Sequence, residues 1–580
     1  MRQIKNTYTK NEAISWPIPN YWDGLALVLV LGAIVMLVLG AGEMSGHFEL
    51  GQEIPISLNP SHLPYYAYRS VLRMLIALAC SLIFTFTVGT LAAKNKRAER
   101  ILIPMIDILQ SVPVLGYLSF TSIFFIALFR GNMLGPECAC IFVIFTAQVW
   151  NMTLSFYQSL RTVPEDLKET AAVFHLSAWQ KFWRVEVPFA MPGLLWNMML
   201  SMSGSWVYLV ASESIAVVNP NIMLPGIGSY IALAIIHTDK IAILYSIAAM
   251  LIVIFLYDQL LFRPSVAWSE KFKTEDSASE IVPKSWVLDL FQRAEFFQFL
   301  GHYLTLLGDA IVNVKYFRHR KKISVVRKIS LWHKFIVFLW NFVLYGAIVA
   351  ALIVLYHFIF SSVSKSQMWH VFYLGSVTAI RVIAMIVLSS IIWVPIGVWI
   401  GLHPRASQIV QPIAQFLAGF PVNLLFPIAA ILIVSFHLNV NIWTSPLMIL
   451  GAQWYILFNV IAGTIALPKN LKMAASMFHV NGWLWWKRLI LPGIFPYYIT
   501  GVITAAGGSW NISILSEAVS WGHIQLHATG LGAYITHVSL QRNFPDIALG
   551  ITIMSLYVVF INRTVWRPLY NLAERRYQIR

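Results

Sequence analysis

Eleven stretches of this chain, each 16 residues or longer, contain no Lys, Arg, Asp or Glu, and they restrict the backbone more than any other feature. In the first half they are Leu25–Ala41, Met74–Ala93, Ile108–Phe129, Cys138–Leu160, Val187–Ser212 and Ile241–Tyr257. In the second they are Phe335–Ser364, Val382–Leu402, Ala406–Pro468, Leu489–Ser516 and Ile547–Asn562, with Ala406–Pro468 long enough for two spans. In hydrocarbon a chain must satisfy its own N–H and C=O groups, which a helix does within one segment of about 20 residues. The expectation is an all-α integral membrane protein of about 12 transmembrane helices, six plus six. A chain that is 58% hydrophobic and 11% charged, with mean hydropathy +0.69, is not an ordinary soluble domain.

The cations fix a direction. Lys94, Lys96, Arg97 and Arg100 follow the second apolar run, Lys168, Lys181 and Arg184 the fourth, and Arg563, Arg567, Arg575, Arg576 and Arg580 the last. The loop from Glu43 to Arg69, on the other side, carries Glu43, Glu49 and Glu53. Both termini are therefore expected in the cytoplasm, and the net charge of +16 is mostly this signal rather than a nucleic-acid surface. The polar first twenty residues, with Pro17 and Pro19, do not read as a removable leader. Cys138 and Cys140 have no second ligand pair and are expected to be small apolar residues, not a metal site.

One passage occurs twice, 304 residues apart. Glu169-Thr-Ala171-Ala-Val-Phe-His175, continuing to Val187-Pro188, matches Met473-Ala-Ala475-Ser-Met-Phe-His479, continuing to Leu491-Pro492. At the same offset Gly204-Ser-Trp206 matches Gly508-Ser-Trp510, Glu213 matches Glu517, and Pro164 matches Pro468. Upstream the offset is 308, pairing Arg73 with Arg381 and Pro113 with Pro421. Parallel repeats with an even number of spans imply a pseudo-two-fold axis along the membrane normal. The expected partition is a cytoplasmic N-terminus 1–20, a first six-span half 21–262, a cytoplasmic linker 263–330, a second six-span half 331–563 and a basic cytoplasmic tail 564–580. Within the linker, Trp286–Leu300 is expected as an amphipathic surface helix with Asp289, Arg293 and Glu295 on its polar side.

The spacing Glu169-x-Ala171-x(3)-His175-x(9)-Val185-x-Val187-Pro188 resembles the EAA signature of bacterial ABC importer permeases, E-A-A-x(3)-G-x(9)-I-x-L-P. Both halves carry it. Ile106-Asp-Ile-Leu-Gln-Ser-Val-Pro113 and Gly204 through Glu213 look like the nitrate, sulfonate, taurine and bicarbonate branch. The resemblance implies a type I importer permease fold, with the repeated loops forming short coupling helices that dock on two copies of a cytoplasmic ABC ATPase. It also implies an extracytoplasmic solute-binding protein and a place in the bacterial cytoplasmic membrane. The coupling residues it implies are Glu169, Ala171, His175, Trp179, Trp183, Arg184 and Pro188, with Met473, Ala475, His479, Trp483, Trp486, Arg488 and Pro492. Two departures stand out: the signature's Gly is His in both copies, and its Glu is Met473 in the second. The signature's Gly would permit a positive-φ turn between two short helices, a conformation that His tolerates better than most residues but not freely.

No G-x-x-x-x-G-K-[ST] sequence exists to hold a nucleotide, so ATP and Mg²⁺ are expected on the partner, and the chain itself is expected to be non-catalytic. Polar residues within apolar runs mark the expected translocation path, because they are costly in lipid. They are Asp107, Gln110, Ser111, Pro113, Gln148, Asn151, Trp206 and Glu213, and in the second half Gln415, Pro421, Gln453, Trp510 and Glu517. Arg73 and Arg381 are read either as collectors of an anion or as snorkelling cations at the interface. The rival reading is a twelve-span secondary transporter driven by an ion gradient. It leaves the duplicated loop without a purpose.

Overall fold

A computed structural model describes residues 20–44, 46, 55–110, 112–214, 223–272, 285–313, 339, 342, 346, 349–350 and 352–577. The described residues fall in two compact units. One is drawn from Met1–Gly42, Ser159–Trp196 and Leu256–Ile323, the other from Glu43–Gln158, Asn197–Phe255 and Ser324–Arg580. These units cut across the repeat: the first repeated loop and the described linker residues 263–272 and 285–313 belong to one, the second repeated loop to the other.

Helix dominates because the charge-free runs leave little else possible. Among the described residues eight helical stretches are long and apolar enough to cross a bilayer: Tyr21–Met44, Pro60–Lys94, Leu134–Arg161, Ala178–Ser214, Lys240–Ser269, Lys365–Leu402, Gly482–Ser516 and Phe544–Ala573. Two further spans are bent pairs, Pro404–Ala418 with Val422–Ser435 at 76° and Val440–Leu450 with Gln453–Ile465 at 45°, which gives ten. The expected count of twelve is not reached, for two reasons. The run Phe335–Ser364 is described only in part, with residues 335–338, 340–341, 343–345, 347–348 and 351 outside the described residues. The run Ile108–Phe129, expected as one span, is divided: Lys96–Leu109 is a helix capped by the Asn95 side chain, Pro113 is extended, and a new helix runs from Leu118 to Leu128. Proline supplies no N–H to a ladder and pushes the preceding residue out of helical geometry. The equivalent Pro421 stands at the bend of the 76° pair.

The repeat survives to the level of single turns. A wide π turn at Phe182–Glu186 recurs at Trp486–Ile490, and another at Asp258–Phe262 recurs at Asn562–Trp566. Both pairs keep the 304 offset. In the second unit the helix Lys365–Leu402 packs on Gln453–Ile465 through Gly397 and Gly401, where an added Cβ would come within 2.8 Å of Val460 and 2.7 Å of Thr464. Small residues four apart let two membrane helices approach this closely. One short antiparallel hairpin, Ala518–Trp521 with Ile524–His527, follows the helix Leu491–Ser516.

Candidate functional site

Each repeated loop is a helix, a left-handed residue and a second short helix. Glu165–Val173 is followed by His175 at φ +50°, and Lys469–Met477 by His479 at φ +51°. The turn closes in both copies with the same two bonds. The N–H of His175 donates to Ala172 C=O and that of Leu176 to Ala171 C=O, while His479 and Val480 donate to Ser476 and Ala475. This is the Schellman closure, which satisfies the last carbonyls of a helix and requires a positive φ at the residue after the cap. The imidazole therefore sits where the signature has Gly for a backbone reason.

The two loops differ beyond the turn. In the first, Ser177 and Gln180 form a reciprocal capping box that starts the short helix Ala178–Lys181. In the second, Asn481 makes no side-chain cap, and Gly482 adopts φ +59°. Lys168, 2.8 Å from Glu165, holds that exposed carboxyl below the usual carboxylate range. Ala171 is buried, and Trp183 packs edge-on against Trp179 and Phe182. Trp486 is half-buried against the core, whereas Trp483 is 73% exposed. Glu169 and Met473 both lie in the body of the first helix of their loop, Arg184 and Arg488 are exposed in the π turns, and Pro188 and Pro492 stand in the first turn of the following helices. Sequence reasoning chose the tryptophans and passed over another pair. Val173 and Phe174, and their counterparts Met477 and Phe478, are each more than 70% exposed at the end of a polar helix. Apolar residues in both copies at the same exposed turn were the available signal.

A cavity of about 310 Å³ opens within the second unit. It is lined from both halves by Gln110, Asn151, Gly204, Tyr208, Tyr455, Trp510 and Asn511, among others, and, among the described residues, by no Lys, Arg, Asp, Glu or His. Of the path residues expected from sequence, the structure brings Gln110, Asn151 and Trp510 to this cavity. Others lie elsewhere. Gln148 is buried, donating to the sulfurs of Met74 and Met202, and Gln453 accepts from the Trp393 indole. Gln415 donates to Met199, Trp206 is buried, Asp107 accepts from Gln110, and Pro113 and Pro421 stand at helix breaks. Ser111 lies outside the described residues. Tyr208, Tyr455 and Asn511 were not selected, because hydropathy does not reveal which way a residue points around a helix.

Glu213 and Glu517 do not line the cavity either. Each sits in a cradle repeated in both halves. Glu213 accepts from the Ser70 hydroxyl at 2.7 Å, the Gly228 N–H at 2.9 Å and Arg73 at 2.6 Å. Glu517 accepts from Thr378 at 2.8 Å, the Gly532 N–H at 2.7 Å and Arg381 at 3.2 Å. Arg73 is fully buried, so it neither snorkels nor collects solute. It also donates to Pro225 C=O at 2.8 Å and to Glu137 through two bonds of 2.6 and 2.8 Å. Glu137 was missed by sequence reasoning, although it pairs at the 304 offset with Asn441, which accepts from Arg381 at 2.9 Å.

The repeated halves, with their matching turns and helical spans, are matched by a known sequence family. The profile of the binding-protein-dependent transport system inner membrane component fits residues 85–262 and again 393–577. The chain belongs to that family and carries its domain twice, as a multi-pass membrane permease component. Among curated relatives, the bicarbonate transport system permease protein CmpB of Synechococcus elongatus is 26% identical over 178 residues, covering 31% of this chain and 61% of the relative. The nitrate import permease protein NrtB of Synechocystis is 25% identical over 197 residues, 33% of this chain and 69% of the relative. A probable ABC transporter permease protein of Brucella melitensis is 23% identical over 199 residues, 34% and 74% respectively. The matched region thus spans about three fifths of the bicarbonate permease's length.

Proposed function

We propose that this chain is the membrane subunit of an ATP-driven ABC importer, two permease halves on one polypeptide, that moves a small organic or inorganic anion by alternating access. The observation that carries this reading is the docking turn, built twice with the same hydrogen bonds and the same exposed apolar pair, once in each family-matched segment. Exposed apolar residues on a short rigid helix are what a partner pocket takes up. Two copies of a cytoplasmic ABC ATPase would occupy the loops and supply ATP and Mg²⁺, and a solute-binding protein would deliver the solute from outside. The chain performs no chemistry itself, and both termini lie in the cytoplasm of a bacterial inner-membrane protein.

The relatives named for bicarbonate and nitrate support an anion as the solute. The cavity would meet it with neutral donors only, among them the Asn151 amide, the Tyr208 and Tyr455 hydroxyls and the Trp510 indole. Neutral donors hold an anion less tightly than a guanidinium does, which suits passage rather than retention.

Purification from native membranes tests the reading. Expected is an ATPase recovered at two copies per chain, lost when Phe174→Glu and Phe478→Glu are combined. A chain that purifies alone and moves solute down an ion gradient would sink it in favour of the secondary-transporter reading.

A further inference from the structure

The linker carries a helix fastened at both ends to other parts of its own unit. Trp286–Arg293, capped by Ser285, stops at Ala294, and Glu295–Val312 follows. At its start, Phe296 N–H donates to Asp23 at 3.0 Å, and the Asn20 side chain donates to Arg293 C=O at 2.9 Å. The Arg293 guanidinium lies 5.2 Å over the Trp22 ring, and Leu290 and Ala294 bury against Ala26. At its other end, Asp309 pairs with Arg184 at 3.3 Å, and Asn313 accepts from Gln180 at 2.9 Å and Arg184 at 3.4 Å.

Both anchors stand where a span begins. Asn20–Asp23 open the helix Tyr21–Met44, and Gln180 and Arg184 directly precede Val187–Ser214. The cation pattern puts both of those span starts on the cytoplasmic side. A helix of 18 residues, about 27 Å at 1.5 Å per residue, that joins two such points would run along the bilayer surface rather than across it. Leu300, Leu304 and Leu307 share one side of it at helical spacing, and all are exposed within the protein. Between Glu295 and Asp309 the helix has no acidic residue, Lys or Arg, and the sequence beyond it holds Arg318, Arg320, Lys321 and Lys322. An apolar helix followed in sequence by a run of cations has the composition of a segment lying in a headgroup layer.

We infer that Glu295–Val312 is an interfacial strap, its leucine face seated in the lipid headgroup region, that holds the first docking helix from the membrane side. The grip falls on the residue that caps that helix. Gln180 accepts the Ser177 N–H through its carbonyl oxygen and gives its amide N–H to Asn313. The matched residue of the second loop is Leu484, which has no such groups. The strap therefore presets one docking helix and ties it to the bilayer surface. This inference rests on the proposed function only for the name of the loop it grips.

The test uses the full chain in native membranes with Cys80, Cys138 and Cys140 replaced by Ala. Gln180→Cys with Asn313→Cys is expected to oxidise to a disulfide at least fivefold more completely than Gln180→Cys with Tyr303→Cys, ten residues and about 15 Å back along the strap. Adding Leu304→Glu and Leu307→Glu is expected to cut the yield of the first pair to less than half, with Leu304→Gln as the milder variant should the double fold poorly. Equal yields for the two cysteine pairs, or a yield indifferent to both leucine changes, overturns the strap. Neither readout needs an ATPase, so absence of a partner would leave this result standing.

Discussion

The polar clusters of the two halves share a carboxylate cradle and differ in what completes it. In the first half Arg73 bridges Glu213 to Glu137, and Arg69 adds bonds to Glu137 at 2.6 Å and Glu43 at 2.8 Å. In the second, Arg381 bridges Glu517 to Asn441, and Val377 stands where Arg69 stands. One more cation comes with one more buried acid, and both are absent together. A charge left unpaired in an apolar interior is so costly that the two positions change as a unit. The duplication acts as its own comparison: the shared part is the cradle, and the variable part is a neutral exchange of an ion pair for Val and an amide.

The largest effect expected from breaking this arrangement is at Arg73. Arg73→Met leaves the buried Glu213 carboxylate without its cation and Glu137 with Arg69 alone, and should cost about 3–5 kcal/mol, read as a fall in the thermal midpoint of the detergent-solubilised chain. Arg381→Met, at a site 11% exposed with one acid and one amide, should cost about 1–3 kcal/mol. Equal losses would show that the asymmetry has no energetic weight. Next comes conversion of one half into the other. Arg69→Val and Glu137→Asn should each be destabilising alone and should largely restore each other together, with a coupling of about 0.5–3 kcal/mol in a double-mutant cycle. A double variant worse than either single would end the compensation argument.

The shared part should respond equally. A Cβ on Gly228 would lie 2.3 Å from Val210 C=O, and one on Gly532 would lie 2.3 Å from Ser513 C=O. Gly228→Ala and Gly532→Ala should therefore each cost about 1–3 kcal/mol by overpacking, matched to within the error of a melting curve. Smallest is the docking turn. His175→Gly and His479→Gly remove left-handed strain and should leave stability unchanged or raise it by up to about 1 kcal/mol in either half. A large loss of ATPase coupling without loss of stability would instead assign the imidazoles a role beyond the turn.

Much of this was legible in the sequence for identifiable reasons. Lipid permits few backbone solutions, so charge-free runs located most spans, and the fixed offset located the repeated left-handed turns and the Glu213 and Glu517 pair. The exceptions share one cause. Periodicity reports that a residue is polar but not its azimuth around a helix buried on several sides, so Gln148 and Gln453 were expected in the path and instead satisfy neighbours in the core. Ile108–Phe129 looked continuous because its residues are uniformly apolar, while Pro113 divides it by geometry alone. Glu137 escaped notice because its partner residue, Asn441, is uncharged. The extra residue of each π turn leaves no mark in composition.

That extra residue sets a phase. A π turn holds roughly one residue more than an α turn, so everything after Trp486–Ile490 is rotated by about 100° relative to an uninterrupted helix begun at Gly482. The face that carries Thr504, Gly507 and Asn511 to the cavity is aimed by that rotation. Deleting a single residue from the turn would leave docking helix, span and cavity residues all intact in sequence while pointing them in different directions. The same surplus residue, kept at the matching place in both halves, makes angular registration an inherited property of this chain in its own right.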